Sequence, residues 1–354
     1  GSAFKIVTAA AALEHGLITP NDFVDCENGE FNPYGKRIRD THPLGVIPFW
    51  ESFAYSSNIA IIKVAALLGE ERMENWIRRF GFGVRTGVEM PGESAGIFRP
   101  REQWSGRSMG ALPIGQEMAV NMLQLAQAFS AIANGGVLVK PYVVERAVSK
   151  SGETTYRHDP APGRRILTED TAEHMKMLCY AVVAGKDTTG RYAVISEYRA
   201  GGKTGTAQIA RPDGKGYYHD RYTTIFAGFA PVRDPQLTCV IVVAEPMIPQ
   251  HYGGYVCGPV FKEVMREALV RLNVPPDPMP TKHEVTNLAL ASAPTIPLVP
   301  MADADTVTPR PQFDAFEPVD LPRDALTLLP AANAPAVNVP VLPDFRGLTK
   351  WEAK

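Results

Sequence analysis

Cysteine is scarce in this sequence: four residues in 354, none in C-x-x-C spacing, which excludes a disulfide scaffold. Cys179 and Cys239 stand in apolar runs and are expected to be buried thiols, whereas Cys26, between Asp25 and Glu27, is expected to be more exposed. The seven histidines show no ligand spacing, so no metal site is implied, and nothing points to a cofactor. An excess of either charge is also missing. With 36 basic and 38 acidic side chains the formal charge is −2, which argues against a nucleic-acid partner bound through its phosphates. No apolar run is long enough to span a bilayer and no signal peptide is present, so any anchor of the parent protein is expected outside this chain.

Glycine, frequent elsewhere, is absent from Pro259 to Arg346, and 15 of the 31 prolines fall between Pro275 and Pro343. Such a stretch suits neither long helices nor central strands, and residues 275–340 read as a Pro-rich extended linker. The globular part is expected to be residues 1–274. Within it, Ala3 to His15 reads as a buried helix stopped by Gly16. Further helices are predicted from Ile59 to Leu68, around Met73 to Phe80, from Val120 to Asn134 and from Thr168 to Ala184. Strands are predicted over Thr204–Ala210, Tyr222–Ala230 and Leu237–Ala244, followed by a helix carrying Val260 to Leu272 that packs on the sheet. Helices first, then strands, then a closing helix imply an α+β fold.

Three short motifs bear chemistry. Ser2-Ala3-Phe4-Lys5 spells S-x-x-K, and on a helix positions i and i+3 share a face, so Lys5 can reach the Ser2 hydroxyl. Serine is unreactive at its own pKa and Lys5 acts as a base only when neutral, which burial and a second cation promote. The competing reading of Gly1-Ser2 is a cloning scar. Ser56-Ser57-Asn58 spells S-x-N just before a helix, where the plain alternative is an N-cap. Lys203-Thr204-Gly205 spells K-T-G. A phosphate loop does not fit, because Glu197 stands where its first glycine belongs and the segment leads into a strand. On a strand edge Lys203 supplies positive potential, Gly205 allows close approach, and Thr204 and Thr206 offer hydroxyls to an anion.

In this order the three motifs resemble the serine penicillin-recognising superfamily. Asp40-Thr-His-Pro-Leu-Gly45, Arg79-Phe-Gly-Phe-Gly83, Gly115-Gln-Glu117, Phe226-Ala-Gly-Phe-Ala-Pro231 and Tyr252-Gly-Gly-Tyr255 are similar to connecting segments of class B penicillin-binding proteins, over roughly residues 1–273. The resemblance implies a penicillin-binding transpeptidase fold, a helical lobe packed on an antiparallel sheet, whose first strands are missing from this chain. It implies a peptidoglycan D,D-transpeptidase in which Ser2 attacks a D-Ala-D-Ala stem peptide to form an acyl-enzyme and is likewise acylated by β-lactam antibiotics. Lys5 is then the base, Ser56 the proton relay, Asn58 a substrate amide, and Lys203 the electrostatic partner. Thr204, Gly205 and Thr206 form the substrate-binding strand, and the Ser2 and Thr206 N–H groups the oxyanion hole.

The same resemblance implies an extracytoplasmic location, a membrane-anchored parent protein, and a glycan polymerase and other cell-wall synthesis proteins as partners. Residues 341–354 resemble the start of a PASTA repeat, and both ends read as interruptions of a longer protein. A D,D-carboxypeptidase and a non-enzymatic β-lactam sensor domain are the alternatives. The E-x-x-x-N outline of a β-lactamase at Glu71–Asn75 reads as a solvated helix face.

Overall fold

The computed structural model describes residues 1–33, 37–213 and 216–277. Most of the linker and the PASTA-like residues 341–354 lie outside the described residues. Among the described residues six α-helices carry the fold: α1 (Lys5–Glu14), α2 (Phe49–Ala54), α3 (Asn58–Arg79), α4 (Met122–Ala133), α5 (Glu169–Ala184) and α6 (Gly253–Arg271). Eight short strands, β1 (Phe23–Asp25), β2 (Glu30–Phe31), β3 (Ile38–Arg39), β4 (Val46–Pro48), β5 (Val137–Leu138), β6 (Arg146–Val148), β7 (Thr154–Arg157) and β8 (Arg164–Arg165), form two-stranded antiparallel ribbons. The main sheet is antiparallel, in the order β11 (Leu237–Ala244), β10 (Tyr217–Ala230), β9 (Gly201–Ala210). Among the described residues no helix is long and apolar enough to cross a membrane.

The Ala-rich α1 is buried from Lys5 to Leu13 because α3 and α5 pack around it, and small side chains let them approach closely. The segment from residue 58 to 79 behaves as two helical pieces, since Gly69 sits at φ +76°, ψ 168° between them. Asn121 closes a capping box with Gln124 and starts α4, and Thr168 caps α5. One apolar core gathers α1, α3, α4 and α5; a second lies between the sheet and α6, centred on Phe226, Phe261 and Met265.

β9 begins three residues before the predicted strand. Gly201 and Gly202 are poor strand formers, but the Phe229 and Phe226 rings occupy the space their side chains would need: a Cβ on Gly202 would lie 2.7 Å from Phe226. Two thiols differ from expectation. Cys26 is fully buried, because it follows β1 in the turn held by its N–H bond to the Gly45 carbonyl while Asp25 and Glu27 take the outward positions. Cys239 is half-buried, because β11 is the open edge of the described sheet.

Candidate active site

Ser2 opens a single 3-10 turn, Ser2–Phe4, that runs directly into α1, so the nucleophile candidate stands at the helix start and Lys5 one turn in. Lys5 is fully buried. Its Nζ donates to the Ser56 carbonyl at 2.6 Å and to Asn58 Oδ1 at 2.8 Å, and lies 3.2 Å from Ser56 Oγ. The predicted reach from Lys5 to the Ser2 hydroxyl is not among these bonds: all three go to S-x-N, because burial beside Ser56 and Asn58 draws the amine toward that motif. A neutral amine has two N–H donors and one lone pair. The carbonyl and the Asn58 amide take both donors and leave the lone pair for a hydroxyl.

S-x-N divides the cap and the contacts with the lysines between neighbours. α2 ends at Ala54, and Ser56 then adopts φ +61°, a strained conformation for a residue with a side chain. Ser57 is the cap: its Oγ accepts from Ala60 N at 3.0 Å and donates to Asp40 Oδ2 at 2.5 Å. Asp40 Oδ1 accepts from Asn58 N at 2.6 Å and Ile59 N at 3.2 Å, while Asn58 Nδ2 donates to the Arg39 carbonyl at 2.8 Å. Ser56 and Asn58 are thereby turned toward the lysines.

The third motif closes the cluster. Lys203, fully buried on β9, donates to Ser56 Oγ at 2.8 Å and lies 5.6 Å from the centre of the Phe53 ring. Ser56 Oγ therefore stands between two buried amines. Burial, then the proximity of Lys203, hold Lys5 well below the usual lysine range, partly offset by the negative charge of Asp40. Burial brings Lys203 down to about 7. A Cβ on Gly205 would touch the Ala3 Cβ and N at 3.4 Å, so the glycine lets β9 lie against the S-x-x-K turn. Thr204 is buried, and Thr206 Oγ1 accepts from Gly253 N at 3.0 Å, which ties the strand to the start of α6.

All eight predicted site residues come from these three converging segments. Three supporting residues carried no local signal. Asp40 acts across 17 to 19 positions, Phe53 faces Lys203 from the end of α2, and Thr189 Oγ1 donates to the Ala54 carbonyl at 3.2 Å, holding α2 in place. Glu71 and Asn75 are exposed, Glu71 3.9 Å from Arg101, as a solvated face requires. Among the described residues no three His, Cys, Asp or Glu side chains gather as metal ligands.

The family model for the penicillin binding protein transpeptidase domain matches residues 1–266. Penicillin-binding protein PbpB of Mycolicibacterium smegmatis is 37% identical over 290 residues, 79% of this chain and 44% of that protein. Stage V sporulation protein D of Bacillus subtilis is 31% identical over 320 residues, 89% and 49% of the two chains. The chain thus spans less than half the length of these relatives. Penicillin binding protein 3 of Mycobacterium tuberculosis, solved in complex with ampicillin, superposes with a TM-score of 0.73 at 34% identity, covering 79% of this chain and 63% of that one.

Proposed function

The chain belongs to the penicillin-binding protein transpeptidase family, and on that premise we propose that it cross-links peptidoglycan as a serine D,D-transpeptidase. The observation that carries the reading is the Ser56 hydroxyl held between two buried amines, 3.2 Å from Lys5 and 2.8 Å from Lys203. Two ammonium groups sharing one hydroxyl away from water repel each other, so a neutral amine is accessible near neutral pH.

Neutral Lys5 takes the Ser2 proton as Oγ attacks the carbonyl of the D-Ala-D-Ala bond. Ser56 passes that proton to the leaving D-alanine amine. Asn58 orients the donor peptide, Thr204 and Thr206 receive its terminal carboxylate while Lys203 tunes the electrostatics, and the Ser2 and Thr206 N–H groups receive the oxyanion. Losing one such donor typically costs about 100-fold or more in rate. A neutral amine of a second stem peptide then attacks the acyl-enzyme and forms the new amide, and the proton it loses passes to the departing Ser2 Oγ, which restores the hydroxyl. β-Lactams enter the same first step. Residues 1–274 form the catalytic domain, acting outside the cytoplasm in a membrane-anchored parent protein alongside a glycan polymerase.

Labelling with a fluorescent penicillin tests the acyl-enzyme: the chain is labelled and Ser2→Ala is not. Persistent labelling of Ser2→Ala refutes the assignment of the nucleophile. Incubation with polymerised lipid II then yields joined stem peptides; release of D-alanine without joined peptides identifies a D,D-carboxypeptidase instead.

A further inference from the structure

Two amines that share one hydroxyl have opposite tasks here: Lys5 is a base only when neutral, and Lys203 supplies positive potential only when charged. The hydrogen bonds by themselves favour the reverse. Lys5 has two acceptors besides the Ser56 hydroxyl, the Ser56 carbonyl at 2.6 Å and Asn58 Oδ1 at 2.8 Å, and the negative charge of Asp40 favours its ammonium form. Lys203 is fully buried and donates to Ser56 Oγ alone, at 2.8 Å. From α1 it meets the like charge of Lys5, and from the S-x-N segment only hydroxyl and amide groups. From α5 the titratable group facing it is Cys179, whose thiol burial pushes up to about 12, so that it is uncharged at neutral pH. Among the described residues Lys203 has no carboxylate partner. A buried ammonium so placed gives up its proton readily unless something else holds it.

The Phe53 ring is placed to do so. Lys203 Nζ lies over its face, 5.6 Å from the ring centre, inside the range of about 6 Å over which the negative face of an aromatic ring attracts a cation. Phe53 is 1% exposed, so water does not compete for that charge and the attraction acts at its desolvated strength. The ring is also held still. Ser52 Oγ donates to the Phe49 carbonyl at 2.8 Å within α2, the Phe49 ring lies 6.4 Å from that of Phe53, and Thr189 fastens the end of the helix through the Ala54 carbonyl. The Phe53 carbonyl accepts from Ser56 N at 3.0 Å. One residue thus fixes the Ser56 backbone through its carbonyl and meets the Lys203 amine with its ring, and the bond between Lys203 and Ser56 Oγ joins the two.

We propose that Phe53 is a positioning residue of the reaction: the face of its ring holds Lys203 as an ammonium against Ser56 Oγ, which leaves Lys5 as the neutral amine of the pair. This rests on the transpeptidase reading, which makes Lys5 the base. Phe53 touches no reacting atom and acts through Lys203, offsetting the pull of Asp40 on the other amine.

The test follows acylation of the full chain by a fluorescent penicillin, in stopped flow from pH 5 to 10. The rate rises with pH as Lys5 becomes neutral and falls again as Lys203 loses its proton; because the amines share a hydroxyl, both limbs belong to the pair. Phe53→Leu keeps a buried apolar side chain but removes the ring, so Lys203 loses its charge more easily and the alkaline limb is expected to move about one pH unit lower. Phenylalanine carrying one, two or three ring fluorines at position 53 keeps the shape of the ring while draining charge from its face, and is expected to lower the limb stepwise. An alkaline limb that stays in place along the fluorine series overturns the positioning role even where Phe53→Leu slows acylation, because lost packing scales the profile without moving it. A parent profile without an alkaline limb overturns it as well. Absence of labelling in the parent chain overturns the transpeptidase reading and the positioning role together, whereas labelling with an unmoved limb overturns the positioning role alone.

Discussion

Replacing Asp40 with asparagine separates the scaffold of S-x-N from its electrostatics. The carboxylate accepts from Ser57 Oγ, Asn58 N and Ile59 N, so one side chain fixes the cap and both flanking functional residues. Hydrogen bonds to a charged acceptor are worth about 1.5–3 kcal/mol against roughly 1 for neutral ones. In Asp40→Asn the two amides keep a neutral acceptor, but an N–H now faces the Ser57 hydroxyl, which already accepts from Ala60 N. The summed loss is about 2–4 kcal/mol, part of it appearing as lower stability and part as a displaced Ser56. Acylation by a fluorescent penicillin at pH 7, followed by stopped flow, is expected to slow about 10- to 100-fold. The pH profile carries the sharper test. Lys5 works as a base only when neutral, so acylation rises with pH through its pKa, and the negative charge of Asp40 raises that pKa. Removing the charge lowers it, and the acid limb moves to lower pH. A residue that only held the loop would scale the profile without moving the limb. Acylation at the parent rate, or a limb displaced to higher pH, refutes the reasoning.

Lys203→Met is expected to abolish penicillin labelling while stabilising the fold: the buried amine has a folded pKa of about 7 against 10.5 for an unperturbed lysine. Between those values the unfolded chain holds a proton that the native chain lacks, so parent stability rises with pH across this window, and the penalty is complete below pH 7. Urea denaturation from pH 6 to 10 should show the variant's advantage shrinking as pH rises; a constant difference contradicts this. Gly254→Ala places a Cβ 1.9 Å from the Thr189 carbonyl, backbone against backbone, and is expected to lower stability by about 3 kcal/mol or more, read as a fall in melting temperature. Cys26, with its thiol pushed up to about 11 by burial, is expected to resist thiol reagents at pH 8 until urea unfolds the chain, with site-resolved mass spectrometry as the readout.

The long elements were legible because their apolar residues repeat at the period of the structure they form. The helix now running from Met122 to Ala133 and the strands read over Tyr222–Ala230 and Leu237–Ala244 were readable for this reason, although β10 begins five residues earlier, at Tyr217, which pairs with Ala210 of β9. β9 was read short at its start because its glycines are poor strand formers alone and become strand only under the rings of Phe226 and Phe229. The ribbons of two to four residues carry too little pattern to announce themselves, and α2, at six residues, is set by its packing on α3 and α5. Cys26 was misjudged because its charged neighbours describe their own direction, not that of the residue between them. The candidate site residues were legible because each sits in a short motif. Asp40, Phe53 and Thr189 were not, because their roles exist only once separate segments meet.

Those partners explain how three short motifs make one site. S-x-N could be read as a cap or as chemistry; Ser57 is the residue that caps α3, and it leaves Ser56 and Asn58 to face Lys5 and Lys203. The strained Ser56 backbone is held by bonds on either side, from Ser56 N to the Phe53 carbonyl at 3.0 Å and from Ser57 N to the Ser52 carbonyl at 2.8 Å. The same separation governs β9, where Gly205 makes the close contact with the S-x-x-K turn and Lys203, two residues earlier and on the same side of the strand, reaches Ser56. A Cβ at 205 would lie 3.3 Å from Ile225 Cβ and 3.4 Å from Ala3 Cβ and N, so any side chain longer than alanine there would press β9 away from Ala3 and draw Lys203 with it. Hence the glycine matters to the electrostatics although it carries no charge: at hydrogen-bond range, a displacement of a few tenths of an ångström at Gly205 is enough to weaken the 2.8 Å contact that places the second amine.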